Sequence, residues 1–215
     1  MMGGIDCDLW GETMVPGLWA AGEVACVSIH GANRLGGNSL METIVFGRRA
    51  GTRAADYVGG VAARPPSPAH LTCEQDRIRH LLSQEGTERS WQMRNDLGET
   101  LSTNLGLFRT QDSMRQARDH VRAIQRRAAA VTVQDKGRVF NTDLIHALEL
   151  QCLADLAETI VAGALAREES RGAHYRSDFP SRDDVNWLRH TLAYRAPEGP
   201  QLTYHPVTVT RFPPK

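Results

Sequence analysis

The residues best able to do chemistry crowd into one stretch, HGANRLGGNSL at residues 30–40. It combines His30 and Arg34 with Asn33, Asn38, Ser39 and the glycines Gly31, Gly36 and Gly37. Glycine suits backbone that turns at positive φ or must let a partner approach closely. A guanidinium offers two parallel donors to a carboxylate, and a helix start presents unpaired N–H groups to negative charge. Residue types alone leave Arg34 two roles, a clamp on a carboxylate or one half of an ordinary surface ion pair. His30, Asn38 and Ser39 are near enough in sequence to converge with it on one ligand. Glu23, in AAGE after an apolar piece, reads either as an acid receiving ribose hydroxyls at a strand end or as an exposed loop glutamate.

These residues need elements to position them. Ser39 followed by Glu42 matches a capping box, which places a helix start at Asn38 or Ser39. Beyond it Leu40, Ile44, Val45, Ala50 and Ala54 recur at helical spacing. Residues 1–29 alternate short apolar pieces with glycine and proline, the pattern of short strands and turns. GGVAARPPSPAH, residues 59–70, is too rich in proline and glycine to continue a helix and reads as a linker. Three amphipathic runs then follow, LTCEQDRIRHLLSQ, SWQMRNDLGETLSTNLGLF and SMRQARDHVRAIQRRAAAV, the last with Met114, Ala117, Val121 and Ile124 on one stripe. They should pack as a small bundle around LIHALELQCLADLAETIVAGALA, which is apolar on most of its circumference. Asp143 or Thr142 is the expected N-cap of that helix and Gly172 its expected stop. The tail predicts a short helix and then two strands around Pro197, Glu198 and Gly199. The fold class is therefore α+β: a strand-rich segment with one helix at 1–58, a linker at 59–70, a helical bundle at 71–172 and a tail at 173–215.

With 215 residues and 41% hydrophobic content, the chain can bury a real core. Lys plus Arg and Asp plus Glu each total 25, so no global field favours nucleic acid or an anionic membrane surface, and anion recognition must be local. Cys7, Cys26, Cys73 and Cys152 are scattered without a C-x-x-C pair or a metal-ligand cluster, which suits thiols in a reducing compartment. No apolar run approaches the roughly 20 residues that cross a bilayer, and the first residues lack a signal-peptide pattern.

The run VPGLWAAGEVACVSIHGANRLGGNSLMETIVFGRRAG resembles the flavoprotein subunit of succinate dehydrogenase and fumarate reductase, almost position for position. Further matches are MMGGI at the start, VFNTDL near residue 140, ESRGAH at 169–174, and RDD followed by HTL in the tail, so the resemblance covers essentially the whole chain. It implies that residues 1–58 are the C-terminal segment of an FAD-binding domain. It implies that Arg34 binds a carboxylate of succinate or fumarate, and that Glu23, Asn38, Ser39 and Leu40 contact FAD. The implied activity is hydride transfer between FAD and succinate or fumarate. Electrons pass to an iron–sulfur subunit, then through membrane anchor subunits to quinone, at the cytoplasmic face of the inner membrane. Aspartate oxidases share the HGAN and ESRG framework and are the alternative relatives; a catalytically inactive remnant is another. In ESRGAH, Arg171 and His174 order the surroundings of the site or bond to backbone; neither is assigned catalysis.

The same resemblance makes several family features conspicuous. No G-x-G-x-x-G turn occurs in these 215 residues. The histidine that bonds covalently to FAD and the capping domain with its proton-donating arginine also have no counterpart here. Met1 is thus expected to be an internal methionine of a longer protein, with no catalytic residue and no turnover in this chain alone. The apolar surfaces of residues 1–60 are expected to drive self-association. Arg195, Tyr204 and Arg211 in the tail face a partner subunit or belong to a packed edge strand.

Overall fold

A computed structural model describes residues 2–62, 64–212 and 214. Met1 of the opening motif, Ala63 of the linker stretch, and Pro213 and Lys215 of the tail lie outside the described residues. The architecture is α+β, and the chain divides into two compact units. One comprises Met1–Pro65 with Arg171–His174, the other Pro66–Ser170 with Tyr175–Lys215.

In the first unit, β1 (Ile5–Asp6) pairs in parallel with β2 (Ala25–Cys26), preceded by a 3-10 turn at Gly22–Val24. Helix α1 runs from Asn38 to Gly60. Its start agrees with the expected position, but its buried face does not. Glu42, Phe46 and Ala50, four residues apart, are buried, whereas Leu40 and Ile44 are 71% and 72% exposed. Apolar spacing identified the helix correctly but not the side this unit covers. The buried face is set by close contact. Gly11, at φ 75, lies where a Cβ would meet the Ala50 Cβ at 2.8 Å and the Ala20 carbonyl oxygen at 2.7 Å. The helix also continues through Gly59 and Gly60 and ends at Val61, which is extended, ahead of the consecutive prolines Pro65 and Pro66. Glycine weakens a helix by about 1 kcal/mol against alanine, too little to stop one already propagating.

The second unit is built on helices α2 (Pro68–Ser83), α3 (Ser90–Asn104), α4 (Gln111–Ala128) and α5 (Thr142–Ala166). All four residues of the expected stripe, Met114, Ala117, Val121 and Ile124, are buried. They pack with Met93 and Leu97 of α3 and with Leu150, Ala154, Ala157 and Val161 of α5. Each large apolar side chain so buried contributes about 1.5–3 kcal/mol. Helix α2 buries no residue fully and touches this core through Leu81 and Leu82. Between α3 and α4 lies β3 (Phe108–Arg109), which pairs in parallel with β4 (Tyr175–Arg176).

Helix ends show how the local sequence is used. The α4 start is a true capping box: the Thr110 hydroxyl accepts from the Ser113 amide at 3.2 Å, and the Thr110 amide donates to Ser113 Oγ at 3.1 Å. The α5 cap is Asn141, one residue before the expected Thr142 and two before Asp143. Its Oδ1 accepts from the Leu144 amide at 2.8 Å while its Nδ2 donates to the Asp135 and Gly137 carbonyls at 2.7 and 2.9 Å. An amide can do both; a carboxylate cannot donate. Asp143 instead accepts from the Gln134 amide at 2.6 Å.

The α5 end also departs from expectation, because the helix stops at Ala166 and not at Gly172. Arg176, 1% exposed, donates from Nη1 to the Leu165 and Arg167 carbonyls at 3.2 and 3.0 Å, satisfying carbonyls the helix end leaves open. The rest of its guanidinium forms a two-point pair with Asp178 at 2.7 and 2.8 Å. That pairing holds the Asp178 carboxyl down to about 2 from its ordinary 3.8.

The tail forms α6 (Asp184–Trp187), capped by the Asp183 carboxylate, and an antiparallel hairpin of β5 (Arg189–Tyr194) and β6 (Gln201–Pro206). Gly199 takes φ 113 in the connecting turn. Tyr204 packs edge-on against Trp187, with ring centroids 5.6 Å apart, under the Arg189 guanidinium. Among the described residues no helix is long and apolar enough to cross a membrane.

Candidate functional site

The HGANRLGGNSL stretch of the first unit is a loop leading into the start of α1. Gly31 and Gly37 take φ 57 and φ 82, and Gly37 is the N-cap residue of α1. It contributes no side-chain hydrogen bond to the turn that follows, of which Asn38, Ser39 and Leu40 are the first residues. A Cβ at Gly31, Gly36 or Gly37 would meet nothing within 4 Å, so the loop leaves open space along its backbone.

Two of the expected site residues come together. Arg34 Nη1 donates to Glu23 Oε1 at 3.1 Å, with the arginine side chain 31% exposed and the glutamate 80%. Glu23 is brought there by the 3-10 turn after Gly22, which takes φ 75. A Cβ on Gly22 would stand 3.3 Å from Thr43 Oγ1, so the turn packs on the first part of α1. Asn38 and Ser39 are half-buried at the helix start and Leu40 projects outward. The assembly is a guanidinium, one exposed carboxylate and a glycine-led helix start. It suits an anion or an electron-rich ring edge.

Glu42 does not act as the capping partner of Ser39. It turns inward, and its Oε2 accepts from His30 Nε2 at 2.5 Å. The glutamate side chain is 3% exposed and the imidazole 15%. Sequence reading placed His30 among the converging donors but missed its partner. The available signal was the spacing Glu42, Phe46, Ala50, which sets the carboxylate on the covered face.

ESRGAH supplies scaffolding. Glu169 is fully buried and accepts from Arg167 Nη1 at 2.6 Å and from the Asp183 amide at 2.9 Å. In the first unit, Arg171 and His174 exchange backbone hydrogen bonds at 2.8 and 3.0 Å. Gly172, at φ 57, sits where a Cβ would meet the Ala32 carbonyl oxygen at 2.4 Å, and the Ala173 amide donates to that oxygen at 3.0 Å. Gly172 and Ala173 thereby brace the loop two residues from Arg34. In the tail, the packing of Tyr204 on Trp187 makes it part of the hairpin's own contacts.

An α+β chain with this site falls in a class for which comparisons agree. Residues 1–40 match the model of the FAD binding domain, and residues 94–215 match that of the fumarate reductase flavoprotein C-terminus. The chain is 47% identical to the fumarate reductase flavoprotein subunit of Mycobacterium tuberculosis, over all of this chain and 38% of that protein. It is 38% identical to the succinate dehydrogenase flavoprotein subunit of Rickettsia bellii, over 97% of this chain and 37% of that one. A structure of Escherichia coli quinol fumarate reductase superposes with a TM-score of 0.91 at 39% identity, covering 99% of this chain and 37% of the other. The chain belongs to the fumarate reductase and succinate dehydrogenase flavoprotein family. It spans less than two-fifths of the length of these relatives.

Proposed function

We propose that this chain is the part of a fumarate reductase or succinate dehydrogenase flavoprotein that binds the dicarboxylate through Arg34 and receives FAD at the start of α1. The supporting observation is the Arg34–Glu23 pair standing beside a helix start without a side-chain cap. Glu23 orients the guanidinium, which is too exposed for the pair to add more than about 1 kcal/mol of stability and so remains available to a carboxylate ligand. The residues present fit a flavin. Open space at Gly36 and Gly37 admits a ring close to backbone, and the amides of Asn38, Ser39 and Leu40 point positive dipole at an edge that gains electron density on reduction. FAD, when bound, supplies the hydride-accepting and hydride-donating atom. Arg34 fixes one carboxylate of succinate or fumarate, so that the reacting carbon is presented in one orientation.

On this reading, the exposed face of α1 formed by Leu40, Met41, Ile44 and Val45 lies against the rest of a longer flavoprotein. Electrons then pass to an iron–sulfur subunit and to quinone through membrane-anchored partners. The proton donor is supplied from outside these residues.

The test is a titration of the purified chain with succinate and with FAD, followed by amide resonances. Shifts at residues 31–42 that vanish in Arg34→Ala support the clamp, and an Arg34→Ala response equal to wild type overturns it. The chain alone is expected to show no succinate-dependent dye reduction.

A further inference from the structure

The His30–Glu42 pair has no role in the dicarboxylate reading above. It is nonetheless the most deeply covered polar contact of the loop that carries Arg34. It joins the residue before Gly31 to the fifth residue of α1, enclosing the whole glycine-rich segment between its two ends. Besides this pair, that segment is fixed by the Ala173 amide on the Ala32 carbonyl at 3.0 Å and by the Arg34–Glu23 pair at 3.1 Å. Its glycines face open space, and the Arg34–Glu23 pair is largely solvent-exposed. A loop with three glycines loses much conformational freedom when ordered, so a tie across its ends acts on its population of competent conformers.

His30 Nδ1 and Glu42 Oε1 are both buried and, among the described residues, have no hydrogen-bond partner. Each buried polar atom left unpaired is costly. Departures of this kind concentrate where positioning matters more than stability. The hydrogen bond of the pair is the one contact between Nε2 and Oε2.

We propose that His30 and Glu42 form a positioning pair that holds the glycine-rich loop so that Arg34 stands ready for a dicarboxylate. This rests on the reading of Arg34 as the carboxylate clamp. The pair touches neither substrate nor flavin in this role. It acts through the loop, by raising the fraction of molecules in which the guanidinium is in place.

The test compares wild type, Glu42→Gln, His30→Gln and the double variant of the 215-residue chain by amide hydrogen exchange and by titration with succinate. In each single variant, exchange at residues 31–37 should rise by about tenfold while residues 46–57 of α1 keep their protection, and succinate affinity should fall by a similar factor. The double variant should be no worse than either single one, because the two side chains act as one unit. Unchanged loop exchange in both single variants overturns the proposal, as does loosening spread equally along α1, which marks a general structural role. If Glu42→Gln unfolds α1, His30→Gln alone decides. Absence of succinate binding in wild type overturns the clamp reading itself, while the exchange comparison still decides whether the pair holds the loop.

Discussion

In the helical unit, Met93, Met114 and Leu150 are fully buried, whereas in the unit around α1, Leu40, Ile44 and Val58 are 70–72% exposed. Both sets lie on helices and read alike as apolar periodicity. The bundle covers its stripe with its own neighbours, α3 and α5, and closes its helix ends with Thr110, Asn141 and Arg176. The α1 unit instead covers Glu42, a carboxylate, and presents aliphatic side chains outward. Periodicity therefore reports that a face is meant to be covered, and it does not say by what.

The contrast can be broken most directly in the core. Leu150→Ala should lower the denaturant stability of the chain by about 2–5 kcal/mol, while Ile44→Ala should change it by less than about 0.5 kcal/mol. Equal effects measured by circular dichroism would mean that α1 is as well covered as the bundle.

The next effect is pH-dependent. Arg176 lowers the pKa of Asp178 in the folded state, so the pair stabilises fully above the ordinary carboxylate range, and that stability is lost as pH falls from about 4 toward 2. Asp178→Asn should cost about 1–2 kcal/mol at neutral pH and flatten the acid limb of the stability curve. An unchanged acid limb would remove Asp178 from the closure of α5. Asn141→Ala should cost about 1 kcal/mol through the lost cap, read as a shift of the urea midpoint. The smallest effect concerns association. Light scattering should show an apparent mass rising with concentration, and Ile44→Ser with Val45→Ser should reduce that rise, whereas a monodisperse monomer at all concentrations would contradict the expectation from the exposed α1 face.

Much of the helical unit was legible because one local rule dominated each segment. The stripe Met114, Ala117, Val121, Ile124 and the turn at Gly199 follow from spacing and from backbone conformation. Ends were harder. Asn141, Thr142 and Asp143 are all good caps, and only the simultaneous demand for a donor toward Asp135 and Gly137 selects the asparagine. The end of α5 is set by Arg176, too far along the chain for any local signal. At the candidate site, Arg34 and Glu23 were singled out by residue type and resemblance. The inward turn of Glu42 was hidden because a glutamate three residues after a serine has an equally good local use.

The Arg176 contact also bears on how this chain can be divided. Helix α5 ends at Ala166, but the side chain that occupies its terminal carbonyls arrives ten residues later, beyond the Arg171–His174 excursion into the other unit. A peptide cut at residue 172 would contain every turn of the helix and lack its fastener. Fraying would begin at Leu165, and a protease would find its first cleavable bonds there. The shortest piece that carries a finished α5 runs through Asp178, so the practical boundary lies past the ESRGAH motif.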